Sequence, residues 1–234
     1  MAKKKILLLS DDLRLSSGVG TMSKEIVFGT LHKYDWFQIG AAIDHPESGK
    51  MVDLSEQVKK DVRPDVEDPY LRILPFNGYG NQDTLREILK HEQPDAIMIY
   101  TDPRFWDWLF HMEHEIRQNI PIFYYNIWDD LPYPMWNEPF YESVDLLMNI
   151  SKQTNNIVKN VRKEIPVKDW QCTYVPHGIN EHNFFPIREG HEQHEEMDKW
   201  WIENTGSSDL DFVVFYNNRN IRRKQPADII LSFK

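Results

Sequence analysis

Lys5-Ile6-Leu7-Leu8-Leu9, closed off by the turn Ser16-Ser17-Gly18-Val19-Gly20, is the stretch that decides the fold. An apolar run without alternation marks a strand buried on both faces, as in a parallel sheet. A long polar turn from Ser10 to Gly20 follows. The spacing then predicts a helix over 21–32, with Met22, Ile26 and Gly29 on one face. The same alternation repeats along the rest of the chain. Strands are predicted at 36–43, 71–75, 96–100, 121–125, 146–148 and 171–175. Asn81 reads as the cap of a helix reaching His91, and Ser151 as the cap of a helix with Thr154, Ile157, Val158 and Val161 as its buried stripe. Pro103 opens a helix in which Phe105, Leu109, Met112 and Ile116 recur at helical spacing. Residues 44–68 show no strong period and read as a loop or an excursion. The class is therefore α/β, a Rossmann-like parallel sheet with flanking helices. Ligands of such sheets bind beyond the carboxyl ends of the strands. The turns after Leu9, Ile43, Tyr100, Tyr125 and Val175 are thus the places to search.

Composition narrows the function. The 234 residues allow one large domain or two small ones. A net charge of −10 argues against a general nucleic-acid binder, which shows a basic footprint. No apolar run approaches the ~20 residues of a membrane span, and Ile6–Leu9 is too short for a secretory signal. The single cysteine, Cys172, excludes an internal disulfide framework and a Cys-based zinc site, and reads as a small buried apolar residue. A cytoplasmic location is expected. Residues 181–200 hold six acids against two bases, whereas 217–234 hold five bases (Arg219, Arg222, Arg223, Lys224, Lys234) against one acid. The basic end reads as a local anion site or a solvated helix start.

Chemistry-bearing residues fall at the predicted strand ends. Glycines at 18 and 20 let backbone approach a ligand, and a helix N-terminus favours an anion. A dinucleotide fingerprint is not complete here: Ser23 stands at the third glycine position, and Ser10–Ser17 makes the turn too long. The loop Asn126-Ile127-Trp128-Asp129-Asp130 follows a central strand. Trp128 offers an aromatic face to a sugar, while Asp129 and Asp130 either orient hydroxyls or simply form the turn. Trp106, Trp108, Trp128 and Trp136 supply either core packing or a platform for a flat ligand. His191, Glu192, His194, Glu195 and Glu196 lack the spacing of a zinc helix and read as a solvated segment. No metal site is expected.

Tyr174-Val175-Pro176-His177-Gly178-Ile179-Asn180, then Phe185-Pro186, resembles the P-x-G-[VI]-[DN] turn of family 4 type glycosyltransferases of the two-domain GT-B fold. Ser143 to Ser151 is similar to that family's strand-to-helix step. Arg219 and Lys224, separated by four residues, resemble its R-x4-K pair, and the glycine turn agrees too. The resemblance runs over roughly residues 5–234. It implies an N-terminal acceptor-side Rossmann-like domain at 1–187, an acidic linker or helix at 188–210, and the start of a donor-binding domain at 211–234 that opens with a strand at 211–216. It implies transfer of a sugar from a nucleotide-sugar donor to an acceptor (a glycan, a lipid or a small molecule), with retention and without a metal or other cofactor. Gly18, Gly20, Arg219 and Lys224 would hold the donor phosphates. Trp128, Asp130 and His177 would touch acceptor or sugar. Relatives carry a histidine near residue 126; here Asn126 and Asp129 stand in as catalytic candidates. On this reading the chain ends early in the donor domain and works weakly or not at all without the remainder or a partner chain. Two other readings stay open: a non-catalytic α/β module or split-enzyme subunit completed by a partner, and a sugar-nucleotide epimerase.

Overall fold

A computed structural model describes residues 2–207, 209–218 and 220–233. The chain divides into two compact units, Met1–Ile179 and Asn180–Lys234.

The first unit is built on an eight-stranded sheet. Its strands are β1 (Lys4–Asp11), β2 (Tyr34–Ala41), β3 (Val52–Asp53), β4 (Leu71–Pro75), β5 (Ala96–Tyr100), β6 (Ile122–Asn126), β7 (Leu146–Asn149) and β8 (Cys172–Tyr174). The order is β3-β4-β2-β1-β5-β6-β7-β8. Every pair is parallel except β3 with β4. Parallel neighbours need crossovers, and helices supply them. They are α1 (Gly18–Thr30), α2 (Ser55–Asp61), α3 (Gln82–Glu92), α4 (Asp107–Phe110), α5 (Glu113–Ile116), α6 (Glu138–Glu142) and α7 (Lys152–Val161).

The run at Leu7–Leu9 explains the two-sided core. Leu7 and Leu9 point to one face with Phe37, Ile39, Ile97 and Ile99, and α3 through α7 cover them. Leu8 points to the other face with Trp36, Leu71, Ile73 and Met98, under α1 and α2. All three leucines are fully buried. Each such side chain contributes about 1.5–3 kcal/mol relative to exposure. Cys172 is free, buried and part of the first face.

Asn81 and Ser151 cap α3 and α7 through their side chains, as the sequence predicts. Some local expectations are corrected. Residues 44–68 hold β3 and α2, because Val58 finds a core site. The fully buried residues of α1 are Gly20, Ser23 and Val27, with Met22 and Ile26 partly buried against the same core. The predicted helix after Pro103 breaks into a 3-10 turn, Pro103–Trp106, and two single-turn helices, which leaves Phe105 about half exposed.

The second unit contains α8 (His194–Thr205) and α9 (Pro226–Ser232). The strand expected at 211–216 is not formed, since no other strand of the described residues pairs with it and its ladder groups stay unmatched. Neither helix has a buried residue, and Phe212 and Phe215 are exposed. No helix of the described residues is long and apolar enough to cross a membrane.

Candidate functional site

The chain leaves β1 for β2 and β4 on one side, then returns to β5 on the other. The carboxyl ends of β1 and β5 therefore flank the topological switch point, where open parallel sheets bind ligands.

β1 ends in two aspartates with opposite fates. Asp12 is fully buried. Its carboxylate grips the Arg14 guanidinium with Oδ1 on Nε at 2.9 Å and Oδ2 on NH2 at 2.7 Å. It also accepts the Arg14 N–H, and it lies against Gly40, where an added Cβ would stand 2.4 Å from Oδ2. Asp11 is only partly buried. Its Oδ2 accepts the Ser17 hydroxyl at 3.1 Å. Burial pushes its carboxyl above the usual range, and the Ser17 hydrogen bond partly offsets that. Beneath them Gln38 Nε2 donates to Ser10 Oγ at 2.7 Å and to the Asp11 carbonyl at 2.9 Å, and Ser23 donates to Ser10. This buried polar set fixes the end of β1. Ser23, the residue that breaks the dinucleotide pattern, is a member of it.

Ser17 caps α1 by accepting the Gly20 N–H at 2.9 Å. The two candidate glycines consequently differ. Gly20 is buried and its amide is spent on the cap; a Cβ there would meet the carbonyl oxygens of Leu15 at 2.6 Å and Asp12 at 2.8 Å. Gly18 faces open space, and a Cβ there would touch nothing within 4 Å. The N–H groups of Gly18 and Val19 are without an acceptor among the described residues. Gly20→Ala should therefore cost about 1–3 kcal/mol through forced backbone shifts, whereas Gly18→Ala should be neutral or stabilise by about 0.4–1 kcal/mol. Thermal melts of the two variants check this.

β5 ends at Tyr100, which is buried. Its hydroxyl lies 3.3 Å from His177 Nε2. The His177 ring stands edge-on to Tyr100 at 5.9 Å and to Tyr125 at 5.5 Å. Burial lowers the proton affinity of His177, favouring the neutral imidazole. Burial also raises the Tyr125 phenol to about 12, and that hydroxyl donates to the Val175 carbonyl at 2.9 Å. The sequence candidate His177 thus sits on the same face of the sheet end as Tyr100, on which the Asp11 charge also acts.

A second group forms at the ends of β6 and β7. Asn126 and Asn149 are fully buried and hydrogen-bonded at 3.3 Å. The Asn126 carbonyl oxygen also accepts the Trp128 N–H at 3.1 Å, so this amide is engaged inside the fold and shapes the loop. Trp128 is half-buried, donates its indole N–H to the Asp130 carbonyl, and meets Trp136 edge-on at 5.9 Å. Asp129 and Asp130 are exposed. Asp130 Oδ1 accepts the Leu131 N–H at 2.8 Å, and the Asp129 backbone carbonyl accepts from Gln153. Arg104 lies over the Trp128 ring at 5.5 Å, held by Asp102, which also caps the turn at Pro103. Arg104 and Asp102 escape a sequence reading. Only the Asp-Pro capping pattern marks them.

In the second unit the Lys224 carbonyl accepts the Tyr216 hydroxyl at 2.5 Å. Arg219 lies outside the described residues.

No protein-family model and no curated protein matches the chain. Among solved structures it is similar to Anabaena HepE, crystallised in complex with UDP and glucose. The TM-score is 0.50 at 10% identity, covering 86% of this chain and 50% of that one. Medicago truncatula UGT71G1, complexed with UDP-glucose, aligns with a TM-score of 0.40 at 10% identity over 86% of this chain and 57% of that one. The likeness to HepE is one of fold. It is a Rossmann-like parallel sheet of the GT-B kind. The chain spans about half the length of these two structures.

Proposed function

We propose that the chain is the acceptor-side part of a glycosyltransferase of the family 4 type, moving a sugar from a nucleotide diphosphate to a hydroxyl acceptor. The observation that carries the reading is the switch-point end of the sheet. It gathers a half-buried carboxylate, free helix-start N–H groups and the Tyr100–His177 pair at one sheet end, and the fold is shared with a protein crystallised with UDP and glucose. Gly18 and Val19 N–H groups would bind a substrate oxygen. Trp128 and Trp136, with Arg104, Asp129 and Asp130 beside them, would receive a sugar ring and its hydroxyls.

The leaving diphosphate gains negative charge as the glycosidic bond breaks. Arg219 and Lys224 would offset that charge directly, and preorganised cations serve such a transition state well. The test is a nucleotide-sugar screen on the protein expressed from its complete reading frame, with Arg219→Ala and Lys224→Ala alongside. Each substitution should lower kcat more than tenfold, about 1.4 kcal/mol. Unchanged kinetics would remove both residues from the site.

One observation favours a second reading, a subunit completed by a partner chain. The second unit exposes Phe212, Phe215, Ile230 and Phe233. Co-purification of a stoichiometric partner, with turnover only in the complex, would select it.

A further inference from the structure

We propose that the first unit carries a second binding site, for an organic cation with an apolar body, in the open groove between α3 and the β4 side of the sheet. The site lies away from the switch point and does not depend on the transferase reading.

The topology leaves this groove. α3 carries the chain from β4, next to the rim of the sheet, back to β5 at its centre. Phe37, Ile39 and Leu74 share the sheet face that α3 packs on. The helix seats Leu85 and Ile88 there, yet Leu74 stays only partly covered. The groove is the space left between the flank of the helix and the outer strand. Phe37, Leu74 and Ile88 give it an apolar floor, and Met51, 54% exposed, adds an apolar lip that stands in water. Thr84, Glu87 and His91 recur at three and four residues, so they line one flank of α3 along it. Its volume is about 520 Å³, within the ~300–1,000 Å³ of small-molecule pockets. Nine residues line it. A stable protein interface engages roughly 20–30 on each side, so the groove suits a small ligand better than a docked protein.

Charge selects the head group. The lining includes three carboxylates and no lysine or arginine. Glu92 is spent on the fold. It is nine-tenths buried and accepts from Lys5 Nζ at 2.9 Å, the Tyr70 hydroxyl at 2.5 Å and the Arg72 guanidinium at 3.4 Å. Arg72 in turn bonds Asp53, so that end of the groove is balanced. Asp83 meets Arg86 at 3.3 Å, but two shorter bonds tie that guanidinium to Glu115. Glu87 meets His91 at 3.4 Å, and no lysine or arginine pairs with it among the described residues. An exposed carboxylate contributes little by itself. Beside an apolar floor that displaces water, Glu87 and Asp83 favour a cation and repel a carboxylate or phosphate. The floor supplies affinity, and the acids choose the head. The ligand class is therefore a protonated amine on an alkyl or aryl body, and fatty acids and anionic lipids are disfavoured.

The test titrates the full chain with octylamine, octanol and octanoate, which share one body and differ in the head. Methyl NMR signals of Met51, Leu74 and Ile88 report binding at the groove. Octylamine should shift them saturably, at least tenfold more tightly than octanol, a difference of about 1.4 kcal/mol. Octanoate should bind more weakly than the alcohol. Glu87→Gln combined with Asp83→Asn, both exposed positions, should bring amine and alcohol within about threefold and leave the alcohol unchanged. Met51→Trp, at the exposed lip, should weaken both at least tenfold by filling the groove. Melting temperatures near that of the parent chain verify that these variants are folded. No saturable shift at the three methyls, alcohol or octanoate binding as tightly as the amine, or amine preference surviving in the double variant overturns the assignment. So does Met51→Trp binding both as the parent chain does. Shifts that follow protein concentration rather than amine would give the groove to a second copy of the chain, and a lysine-bearing amphipathic peptide that binds tenfold more tightly than octylamine would give it to a partner protein. Either result also overturns the small-ligand assignment.

Discussion

Trp106→Ala is expected to destabilise the first unit by about 3–5 kcal/mol, a midpoint shift that urea denaturation would show directly. Trp106 is fully buried where the chain turns after β5, with Tyr79 edge-on at 5.5 Å and Trp108 at 5.8 Å. Removing the indole opens a cavity under both rings. It also unseats the loop holding Gly80, whose positive φ of 74° suits glycine. The indole N–H has no acceptor among the described residues, so it contributes nothing to offset its own burial. Trp106→Phe should consequently cost much less than Trp106→Ala. A phenylalanine variant as unstable as the alanine one would show that the N–H does have a partner.

Arg14→Met is expected to cost a comparable amount, about 3–5 kcal/mol, because it keeps the apolar stem and strands a buried charge. Asp12 is fully shielded and its carboxylate lies against Gly40, so it has no room to reach water. The cost should be largely undone by adding Asp12→Asn to the same chain, since the double variant leaves no buried charge without a partner. Denaturation midpoints of the two single variants and the double variant supply the cycle. Additive losses would mean the pair is not the source of the effect.

Much of the sheet was legible because buried parallel strands write themselves as short apolar runs. Leu71–Pro75 and Ala96–Tyr100 fall where the sequence puts them. Asn81 and Ser151 were legible because capping is a local interaction, settled within three residues. The failures are non-local. Phe105 keeps helical spacing with Leu109, Met112 and Ile116, but the chain bends twice there and turns the ring outward. The run at 211–216 has strand composition, and a strand exists only when something pairs with it. For the site, the sequence marks strand ends and glycines correctly as places to look. It does not tell Asp11 from Asp12, or Gly18 from Gly20. Those distinctions depend on which backbone packs against each residue, and only the fold decides that.

The two rims of the sheet are its shortest strands. β3 has two residues and runs antiparallel to β4; β8 has three. A rim that short offers almost no unpaired backbone for another chain to zip onto, which is how soluble sheets avoid growing into aggregates. Recruitment of any companion protein by this sheet therefore has to proceed through side chains and loops. Strand-mimicking peptides should fail as inhibitors of such recruitment.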